Sequence, residues 1–343
     1  MSNDERSMRS ALSEAQKSFG QTSPNPAVGA VLVVGNRIVA RGHHRQAGCP
    51  HAEIECLGSF RGKIPKDATL YVTLEPCSTT GRTGACTDQI IRSGIKSVVI
   101  GANDPNPRHR GRGLQILRDA GIDVKPGVLA EECAALNEAF NKWIATGIPF
   151  VIAKCGMSLD GRLTRPEKEP RWITSPTARR HAQKLRAQTD AILIGAETLR
   201  RDNPRLTARG ARQARQPLRV VMTSSGRLPR SARFFTDRFA KNSFVYRKMP
   251  LGVVLAELGQ KKVTSVMIEG GGSLLGHALD ERLIDKVQIY VAPILTGGPV
   301  VSFGGGGAHR TRDGAHLDRI SFEKIGPEIC VTGYPKYDRA AGS

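Results

Sequence analysis

The sequence of 343 residues has few aromatic side chains and no long apolar run. Aromatic residues make up 5% of the chain, which leaves few platforms on which single-stranded nucleic acid could stack. Apolar runs such as residues 28–34 and 97–100 are far shorter than the roughly 18 consecutive apolar residues of a membrane-spanning helix. These absences argue against a dedicated single-strand binding protein, and we expect no membrane partner.

The sequence also shows no secretory signal, because residues 1–9 are polar and charged and lead into a helix-like stretch. Its seven cysteines are an odd number spread over a long chain, which suits reduced thiols better than a disulfide framework. We therefore expect a cytoplasmic protein with thiols free to bind metal. The sequence leaves the oligomeric state open, and a homo-oligomer is compatible with it.

Acidic residues are in the minority, with 31 against 51 basic residues and a net charge of +20. Residues 1–150 hold 18 basic and 14 acidic residues, a net of +4, while residues 151–343 hold 33 and 17, a net of +16. Such an excess attracts polyanions, so nucleic acid and phosphorylated small molecules both fit the second half. A solvated basic surface without a specific partner explains the excess equally well.

Apolar β-rich runs alternate with helical patterns along the chain, which predicts an α/β fold. Strands are predicted near residues 27–34, 69–74, 97–100, 122–125, 150–155, 191–194, 219–222, 265–268 and 286–291, with helices near 86–93, 113–120, 130–146, 175–188 and 273–282. The helix over 130–146 ends at Gly147, and a new strand begins directly after Pro149. The sequence therefore predicts two domains, residues 1–147 and 148–343, each long enough for its own core.

Histidine, cysteine and glutamate in the first half have the pattern of a catalytic zinc site. His51 and Glu53 lie where a loop enters a helix, Cys77 follows a strand, and Cys86 is at the start of the next helix. One imidazole and two thiolates leave the fourth zinc position open to water. Glu53 is close enough to handle the proton of that water, as in zinc nucleobase deaminases. We predict that His51, Cys77 and Cys86 bind zinc and that Glu53 is catalytic.

Four segments of the first half resemble a known family. They are Ser23-Pro24-Asn25-Pro26-Ala27-Val28-Gly29-Ala30, His51-Ala52-Glu53, Glu75-Pro76-Cys77 through Cys86, and Asp104-Pro105-Asn106-Pro107. Together they resemble the bifunctional riboflavin-biosynthesis deaminase/reductase, and the resemblance extends over nearly the whole chain. Eight residues separate Cys77 from Cys86, whereas nucleoside and transfer-RNA deaminases usually have two. The resemblance implies a cytidine-deaminase-like N-terminal domain.

By this resemblance the first substrate is a phosphorylated aminopyrimidine, a 2,5-diaminopyrimidinone with a phosphoribosylamino group. The residues expected to contact it are Asn25, His44, Arg82, Asp104 and Asn106. An arginine suits a phosphate group physically, whereas Asn25 and Asp104, taken singly, are also ordinary turn residues beside proline. The loop departs from the family pattern, since Thr79 replaces a common histidine and Gly84-Ala85 replaces two prolines.

The second half resembles the family's reductase domain, which has a dihydrofolate-reductase-like fold and uses NADPH to reduce the ribose to a ribityl chain. The matching segments are Lys154 to Gly161, Trp172 to Ser175, Leu185-Arg186, Asp202 to Thr207 and Glu269-Gly270-Gly271-Gly272-Ser273. The last of these lies between a strand and a helix, where backbone N–H groups can hold phosphate. A glycine-rich turn is by itself as consistent with a plain tight turn.

The resemblance implies two sets of residues in this domain. The residues expected to line the NADPH site are Gly156, Trp172, Thr198, Asp202, Gly271, Gly272, Ser273, Leu274, Leu275, Gly276 and His277. The residues expected to contact the phosphorylated substrate are Lys154, Arg186, Leu206, Arg209 and Glu269. The role of Lys154 stays unassigned, Trp172 fits a core position equally well, and Pro170 replaces a serine that often contacts substrate in the family.

Two other functions fit part of the sequence. A transfer-RNA or nucleoside deaminase with a basic nucleic-acid-binding domain fits the positive charge, and so does a non-enzymatic nucleic-acid-binding protein. The long segment between Cys77 and Cys86 and the complete second domain argue against the first. The low aromatic content argues against the second. We therefore expect no nucleic-acid partner.

Overall fold

The computed structural model of the chain describes residues 1–79, 84–107, 109–163, 172–210 and 215–337. Two of the residues singled out in the sequence, Arg82 and Pro170, lie outside these ranges. The chain divides into two compact units, Met1–Gly147 and Ile148–Ser343. Within the described residues, no helix combines the length and apolar character needed to cross a membrane.

The first unit is a five-stranded sheet with helices packed against it. Its elements are α1 (Asn3–Gln16), β1 (Gly29–Val34), β2 (Arg37–His43), α2 (Ala52–Ser59), β3 (Ala68–Leu74), α3 (Cys86–Arg92), β4 (Ser97–Ala102), α4 (Arg112–Asp119), β5 (Asp123–Pro126), α5 (Ala130–Leu136) and α6 (Glu138–Thr146). The strand order is β2-β1-β3-β4-β5, in which β3, β4 and β5 are parallel and β1 is antiparallel to both neighbours. Buried strand residues such as Val31, Leu70 and Ile100 form the core with Met8 of α1.

The prediction of a single helix over residues 130–146 is wrong, because this segment forms two helices, α5 and α6, that are separated at Asn137. The Asn137 side chain accepts a hydrogen bond from Ala27 N at 2.8 Å and donates one to Ala27 O at 2.9 Å. Its backbone leaves helical geometry, with φ −113° and ψ 26°. The amide thereby satisfies both polar groups of a buried residue. It also fixes the segment before β1 against the start of α6.

The second unit is an eight-stranded sheet. Its elements are β6 (Phe150–Ser158), α7 (Pro176–Gln188), β7 (Ala191–Gly195), α8 (Ala196–Asp202), β8 (Leu218–Thr223), α9 (Arg233–Thr236), β9 (Ser243–Arg247), α10 (Leu251–Gln260), β10 (Ser265–Glu269), α11 (Gly272–Asp280), β11 (Lys286–Ala292), β12 (His316–Ile325) and β13 (Glu328–Lys336). The strand order is β12-β13-β11-β6-β10-β7-β8-β9. From β11 to β9 in this order, each strand is parallel to its neighbours. Strand β13 is antiparallel to both of its neighbours, β11 and β12.

Apolar clusters cover both faces of this sheet. In β7, Ala191 and Leu193 belong to one cluster and Ile192 and Ile194 to another. Successive side chains of a strand point to opposite faces, so the two clusters lie on opposite sides. Such a sheet binds ligands at the carboxyl ends of its parallel strands. The two cavities of this unit described below include residues from that edge.

Candidate functional site

The three predicted zinc ligands lie together in the first unit. His51 is the N-cap residue of α2, Cys77 follows β3, and Cys86 is the first residue of α3. His51 Nδ1 lies 3.2 Å from Cys86 Sγ and 3.6 Å from Cys77 Sγ, and the three potential ligand atoms are within 4.8 Å of one another. One nitrogen and two sulfur donors at this spacing fit a zinc ion.

The thiol of Cys77 is prepared for metal binding. Hydrogen bonds from the Cys86 thiol and the His51 imidazole lower the pKa of Cys77, although burial opposes them. The backbone N–H of Cys86 also donates to Cys77 Sγ at 3.4 Å. Metal is bound by the thiolate rather than the thiol. The loop that follows β3 and the start of α3 therefore favour the thiolate form of Cys77, which is the form that binds metal.

Glu53 is in the first turn of α2 and is buried, with 3% of its surface exposed. Burial raises the pKa of Glu53 to about 7, against a smaller opposing effect of its own backbone hydrogen bond. A carboxyl group with such a pKa is half protonated near neutrality, which suits an acid that both accepts and returns a proton. Its position two residues from His51 places it beside the three ligands.

His44 and Asn25 form a hydrogen-bonded pair near these ligands. Asn25 Nδ2 lies 3.1 Å from His44 Nε2, and His44 Nδ1 lies 3.0 Å from the carbonyl oxygen of Pro50. Because the amide donates and the carbonyl accepts, His44 carries its proton on Nδ1. Burial lowers the pKa of His44, so the ring stays neutral. The His44 ring packs edge-on against His51, with centroids 5.2 Å apart.

Glu75 organises the segment that carries Asp104 and Asn106. Its carboxylate accepts hydrogen bonds from the backbone N–H groups of Asp104 at 3.0 Å, Gly111 at 3.0 Å and Gly113 at 2.9 Å. Asp104 in turn accepts from Asn106 N at 2.8 Å. In the sequence, Glu75 is visible only as part of the Glu75-Pro76-Cys77 motif, which predicts no function for it. Its partners are 29 to 38 residues away, so local sequence could not reveal them.

A cavity of about 310 Å³ brings these groups together. Its lining includes the predicted residues Asn25, His44, His51, Glu53, Cys77, Asp104 and Asn106, and also Glu75, Thr79, His109, Phe140 and Ile144. Phe140 and Ile144 supply apolar surface from α6, one helical turn apart. That spacing on an amphipathic helix was the available signal for them. Cys86 is fully buried and is absent from the described lining, and Arg82 is outside the described residues.

Lys154, Arg186 and Glu269 form an ion-pair cluster in the second unit. Glu269, the last residue of β10, lies beside Lys154 of β6 in the sheet register. Its carboxylate is 3.2 Å from Lys154 Nζ and 2.7 Å from Arg186 Nη2. Burial would raise the pKa of Glu269, but the charges of Arg186 and Lys154 outweigh it and hold the pKa at about 2. Glu269 is therefore ionised at any working pH.

The cluster lines a basic cavity of about 540 Å³. Its lining includes the predicted Lys154, Arg186, Arg209 and Glu269, together with Trp172, Arg179, Arg180, Gln183 and Lys184. Among the described residues of this lining there are six cations and one carboxylate, an imbalance that suits a phosphate group. The basic residues of α7 were visible in the sequence, but their common orientation was not. Leu206 is buried and is absent from the described lining.

A second cavity of about 720 Å³ includes the carboxyl ends of β7 and β8 and the segment that follows β10. Six residues predicted for the cofactor line it: Thr198, Asp202, Gly271, Gly272, Ser273 and Leu274. The remaining ones do not, since Leu275 is buried in the core, Gly276 packs against Gly304, and Gly156 and His277 are absent from the described lining. Trp172 lines the basic cavity instead. A helix exposes only part of its circumference to one cleft, so a continuous stretch could not all face it.

Glycine is required at two positions of this cleft. Gly271, the N-cap residue of α11, has φ +80°, which favours glycine. A Cβ atom on Gly276 would lie 1.1 Å from the carbonyl oxygen of Gly304. Gly304 itself lines the cavity. The glycines therefore allow α11 and the segment near residue 304 to approach closely enough to form the wall.

Comparison with known protein families gives two matches. Residues 1–102 match the cytidine and deoxycytidylate deaminase zinc-binding region, and residues 149–331 match the RibD C-terminal domain. The first range contains His51, Cys77 and Cys86, and the second contains both cavities of the second unit. The two matches thus lie in the two compact units.

Full-length similarity extends over almost all of the chain. The riboflavin biosynthesis protein RibD of Bacillus amyloliquefaciens is 38% identical over 97% of this chain and 96% of its own length. The structure of Acinetobacter baumannii RibD, form 1, has a TM-score of 0.90 at 33% identity and covers 97% of this chain and 99% of its own. A Thermotoga maritima diaminohydroxyphosphoribosylaminopyrimidine deaminase/5-amino-6-(5-phosphoribosylamino)uracil reductase has a TM-score of 0.87 at 33% identity, with the same coverage.

Proposed function

Because this chain belongs to the bifunctional riboflavin-biosynthesis deaminase/reductase family, we propose that residues 1–147 carry its deaminase and residues 148–343 its reductase. Membership of the family confirms the α/β fold, with a cytidine-deaminase-like N-terminal domain and a reductase domain of dihydrofolate-reductase-like fold. It also confirms both activities and the cofactors zinc and NADPH. The alternative of a transfer-RNA or nucleoside deaminase is not favoured.

The deaminase substrate proposed here is 2,5-diamino-6-ribosylamino-4(3H)-pyrimidinone 5′-phosphate, and the reductase acts on its deaminated product. The observation that carries this proposal is the single cavity lined by His51, Glu53 and Cys77 together with Asn25 and Asp104. Residues that can bind zinc, a buried carboxyl group and polar side chains that can contact a pyrimidine ring therefore line one cavity. The name of the Thermotoga maritima relative states the same two reactions for that protein.

In the deaminase, each group has a distinct task. Zinc, when held by His51, Cys77 and Cys86, supplies a water of lowered pKa. Glu53 takes one proton from the attacking water on a carboxylate oxygen and passes it to the ring nitrogen beside the attacked carbon. It then takes the second proton from the new hydroxyl group and delivers it to the leaving amino group, so that ammonia departs and a carbonyl remains. Asn25, held against neutral His44, orients the pyrimidine.

In the reductase, Lys154 and Glu269 face the sugar of the substrate. NADPH supplies the hydride when bound. Since Arg186 and Lys154 hold the pKa of Glu269 at about 2, against the opposing effect of burial, this carboxylate accepts hydrogen bonds and delivers no proton. Lys154 is the group that can donate a proton to the sugar oxygen as the ring opens. The exposed cations of α7 and Arg209 balance the phosphate charge.

The positive charge of the second unit bears on the partners of the enzyme. Its proposed substrates are phosphorylated small molecules, and six cations in the described part of the chain line the basic cavity. We therefore infer that this positive charge attracts the phosphorylated substrate rather than nucleic acid and that the enzyme works in the cytoplasm.

The oligomeric state of the enzyme is open to a direct test. Sedimentation equilibrium of the purified protein would distinguish a monomer from a homo-oligomer.

Incubation with the aminopyrimidine nucleotide tests both activities at once. The zinc-loaded protein is given this substrate with and without NADPH, and the products are analysed by mass spectrometry. We expect replacement of one amino group by oxygen without NADPH, and a further gain of two hydrogens with it. Unchanged substrate under both conditions would contradict the proposed function. Reduction in the absence of NADPH would contradict the proposed cofactor use.

A further inference from the structure

His109 lines the deaminase cavity from the turn that follows the Asp104-Pro105-Asn106-Pro107 motif. Its backbone N–H donates to the carbonyl oxygen of Asn106 at 3.0 Å, and its own carbonyl oxygen accepts from Arg112 N at 2.9 Å. These two bonds hold the residue between Asn106 and the start of α4. The same segment therefore brings His109 into the cavity together with Asp104 and Asn106.

The imidazole of His109 has no hydrogen-bond partner among the described residues. Nδ1 is buried and unpaired, and no contact of the described part of the chain engages Nε2. A buried N–H without an acceptor is costly, so the proton of the neutral ring lies on Nε2. Because Nδ1 is enclosed, a ligand in the cavity can meet only the rest of the ring, which includes this Nε2–H donor.

The two other imidazoles of the cavity are already engaged. His51 is a predicted zinc ligand. His44 uses both ring nitrogens, Nε2 with the Asn25 amide and Nδ1 with the Pro50 carbonyl oxygen. Among the described residues of this lining, His109 is therefore the imidazole that is left for a substrate.

The described lining of this cavity has few groups that suit a phosphate. It holds three carboxylates, those of Glu53, Glu75 and Asp104, and neither lysine nor arginine. Carboxylates repel a phosphate group. A phosphorylated substrate that enters the cavity therefore depends on the few N–H donors there, and the Nε2–H of His109 is one of them.

Thr79 lines the same cavity and stands where the family commonly has a histidine. Its hydroxyl group is on a much shorter side chain than the nitrogens of an imidazole. Thr79 is three residues before Arg82, the arginine predicted to bind the phosphate. This loop thus lacks the common imidazole beside its arginine, while His109 brings an imidazole into the cavity from a different segment.

We propose that His109 binds the phosphate of the deaminase substrate through Nε2–H and replaces the histidine that is absent at residue 79. The inference deepens the proposed deaminase function and rests on it. A hydrogen bond to a charged acceptor is stronger than one between neutral groups, so His109 favours the nucleotide over the same compound without its phosphate. The proton transfers belong to Glu53, and His109 therefore affects KM rather than kcat.

The test compares the aminopyrimidine nucleotide with the nucleoside that remains when its phosphate is removed. Deamination of both is measured with the zinc-loaded full chain, with His109→Leu and His109→Gln, and with the double variant Thr79→His/His109→Leu. Arg110→Ala is the control, because Arg110 is the exposed neighbour of His109 and is absent from the described lining. Zinc content, circular dichroism and reduction of deaminated substrate with NADPH check that each variant is intact.

We expect His109→Leu to raise KM for the nucleotide at least about tenfold, since a hydrogen bond to a charged group is lost. Its kcat for the nucleotide and its kcat/KM for the nucleoside should stay within about twofold of those of the unaltered protein. His109→Gln should retain part of the affinity, because its amide can donate to the same phosphate. The double variant should recover affinity for the nucleotide.

Equal losses for nucleotide and nucleoside, or no loss for the nucleotide, would overturn the assignment of His109 to the phosphate. No recovery in the double variant would refute the replacement of residue 79 by His109. Both results are obtained while the unaltered protein deaminates the nucleotide, so they leave the proposed function in place. If the unaltered protein deaminates neither compound, the proposed function fails and this assignment fails with it.

Discussion

Arg186 of α7 forms an ion pair with Glu269, which lies 83 residues later in the sequence. Arg186 Nε is 2.9 Å and Arg186 Nη2 is 2.7 Å from Glu269 Oε2. Its third nitrogen, Nη1, donates to the carbonyl oxygen of Thr207 at 3.3 Å. All three nitrogens are therefore engaged by the protein. That Arg186 contacts the substrate directly stays a prediction, and Arg186 does line the basic cavity. Its bonds to Glu269 also make it a positioning residue that keeps this carboxylate ionised and oriented.

Arg186→Ala should weaken reduction and alter its pH dependence. Without this cation, burial raises the pKa of Glu269 above its present value of about 2, where Arg186 and Lys154 now outweigh burial. Because the ionised form is the active one, activity is retained above the new pKa and lost as the pH falls through it. We expect a new acid limb in the pH profile of kcat/KM, with deamination at its normal rate. Arg186→Lys should restore part of the activity, and a slower enzyme with an unchanged profile would contradict the positioning role.

Glu53→Gln should abolish most deamination while sparing reduction. The substitution keeps size and hydrogen bonding but removes the carboxylate, so the rate should fall by roughly two to four orders of magnitude. Zinc content should be unchanged, because Glu53 is not a predicted ligand. The same variant, supplied with deaminated substrate and NADPH, should reduce it normally. Loss of both reactions in folded, zinc-loaded protein would show that the two sites are not independent.

Cys86→Ser should lose zinc and deaminase activity together. Cys86 is one of three predicted ligands, and removing one sharply weakens a site of this kind. Metal analysis of the purified variant measures the loss. Cys133→Ser is the matched control, because Cys133 is also buried but packs against Gly101, away from the ligands. Full zinc occupancy in Cys86→Ser would disprove the ligand assignment.

Glu75→Gln should raise KM for the deaminase substrate more than it lowers kcat. Three backbone N–H groups point at this carboxylate, and glutamine can offer only one oxygen to them. Since hydrogen bonds to a charged group contribute about 1.5–3 kcal/mol each, we expect at least a tenfold rise in KM as Asp104 loses its fixed position. Zinc content should not change. Glu55→Gln, which removes only the ion pair with Arg45, should have no such effect, and an equal effect would exclude a specific role of Glu75.

Gly276→Ala should weaken NADPH binding and destabilise the second unit. The new Cβ would lie 1.1 Å from the Gly304 carbonyl oxygen, so the wall of the cofactor cleft must shift, at a cost of about 1–3 kcal/mol. Fluorescence titration with NADPH and thermal unfolding measure the two effects. Gly252→Ala on α10 is the control, because no atom lies within 4 Å of its Cβ position. Similar behaviour of the two variants would contradict the close approach as the cause.

Contacts between distant segments were hidden from sequence reasoning. The predicted helix over residues 130–146 had no internal signal for its break, because Asn137 leaves the helix to bind Ala27, 110 residues earlier. Strands β2, β9, β12 and β13 were likewise not predicted. Among site residues, Leu206 and Leu275 followed from resemblance, yet both side chains are buried. Their orientation depends on packing rather than on position in a motif.

The sequence by itself determined the chemistry that short motifs carry: one histidine and two cysteines with an adjacent glutamate, glycines after a strand, and the alternation of strands and helices. These are local properties, because ligand type and backbone freedom are fixed by residue identity and hydrophobic periodicity by near neighbours. Only the tertiary structure decided that the Glu75 carboxylate binds the backbone of the Asp104 segment and that Arg186 forms an ion pair with Glu269. Those pairings depend on the order of strands in the sheet, which brings together residues far apart along the chain.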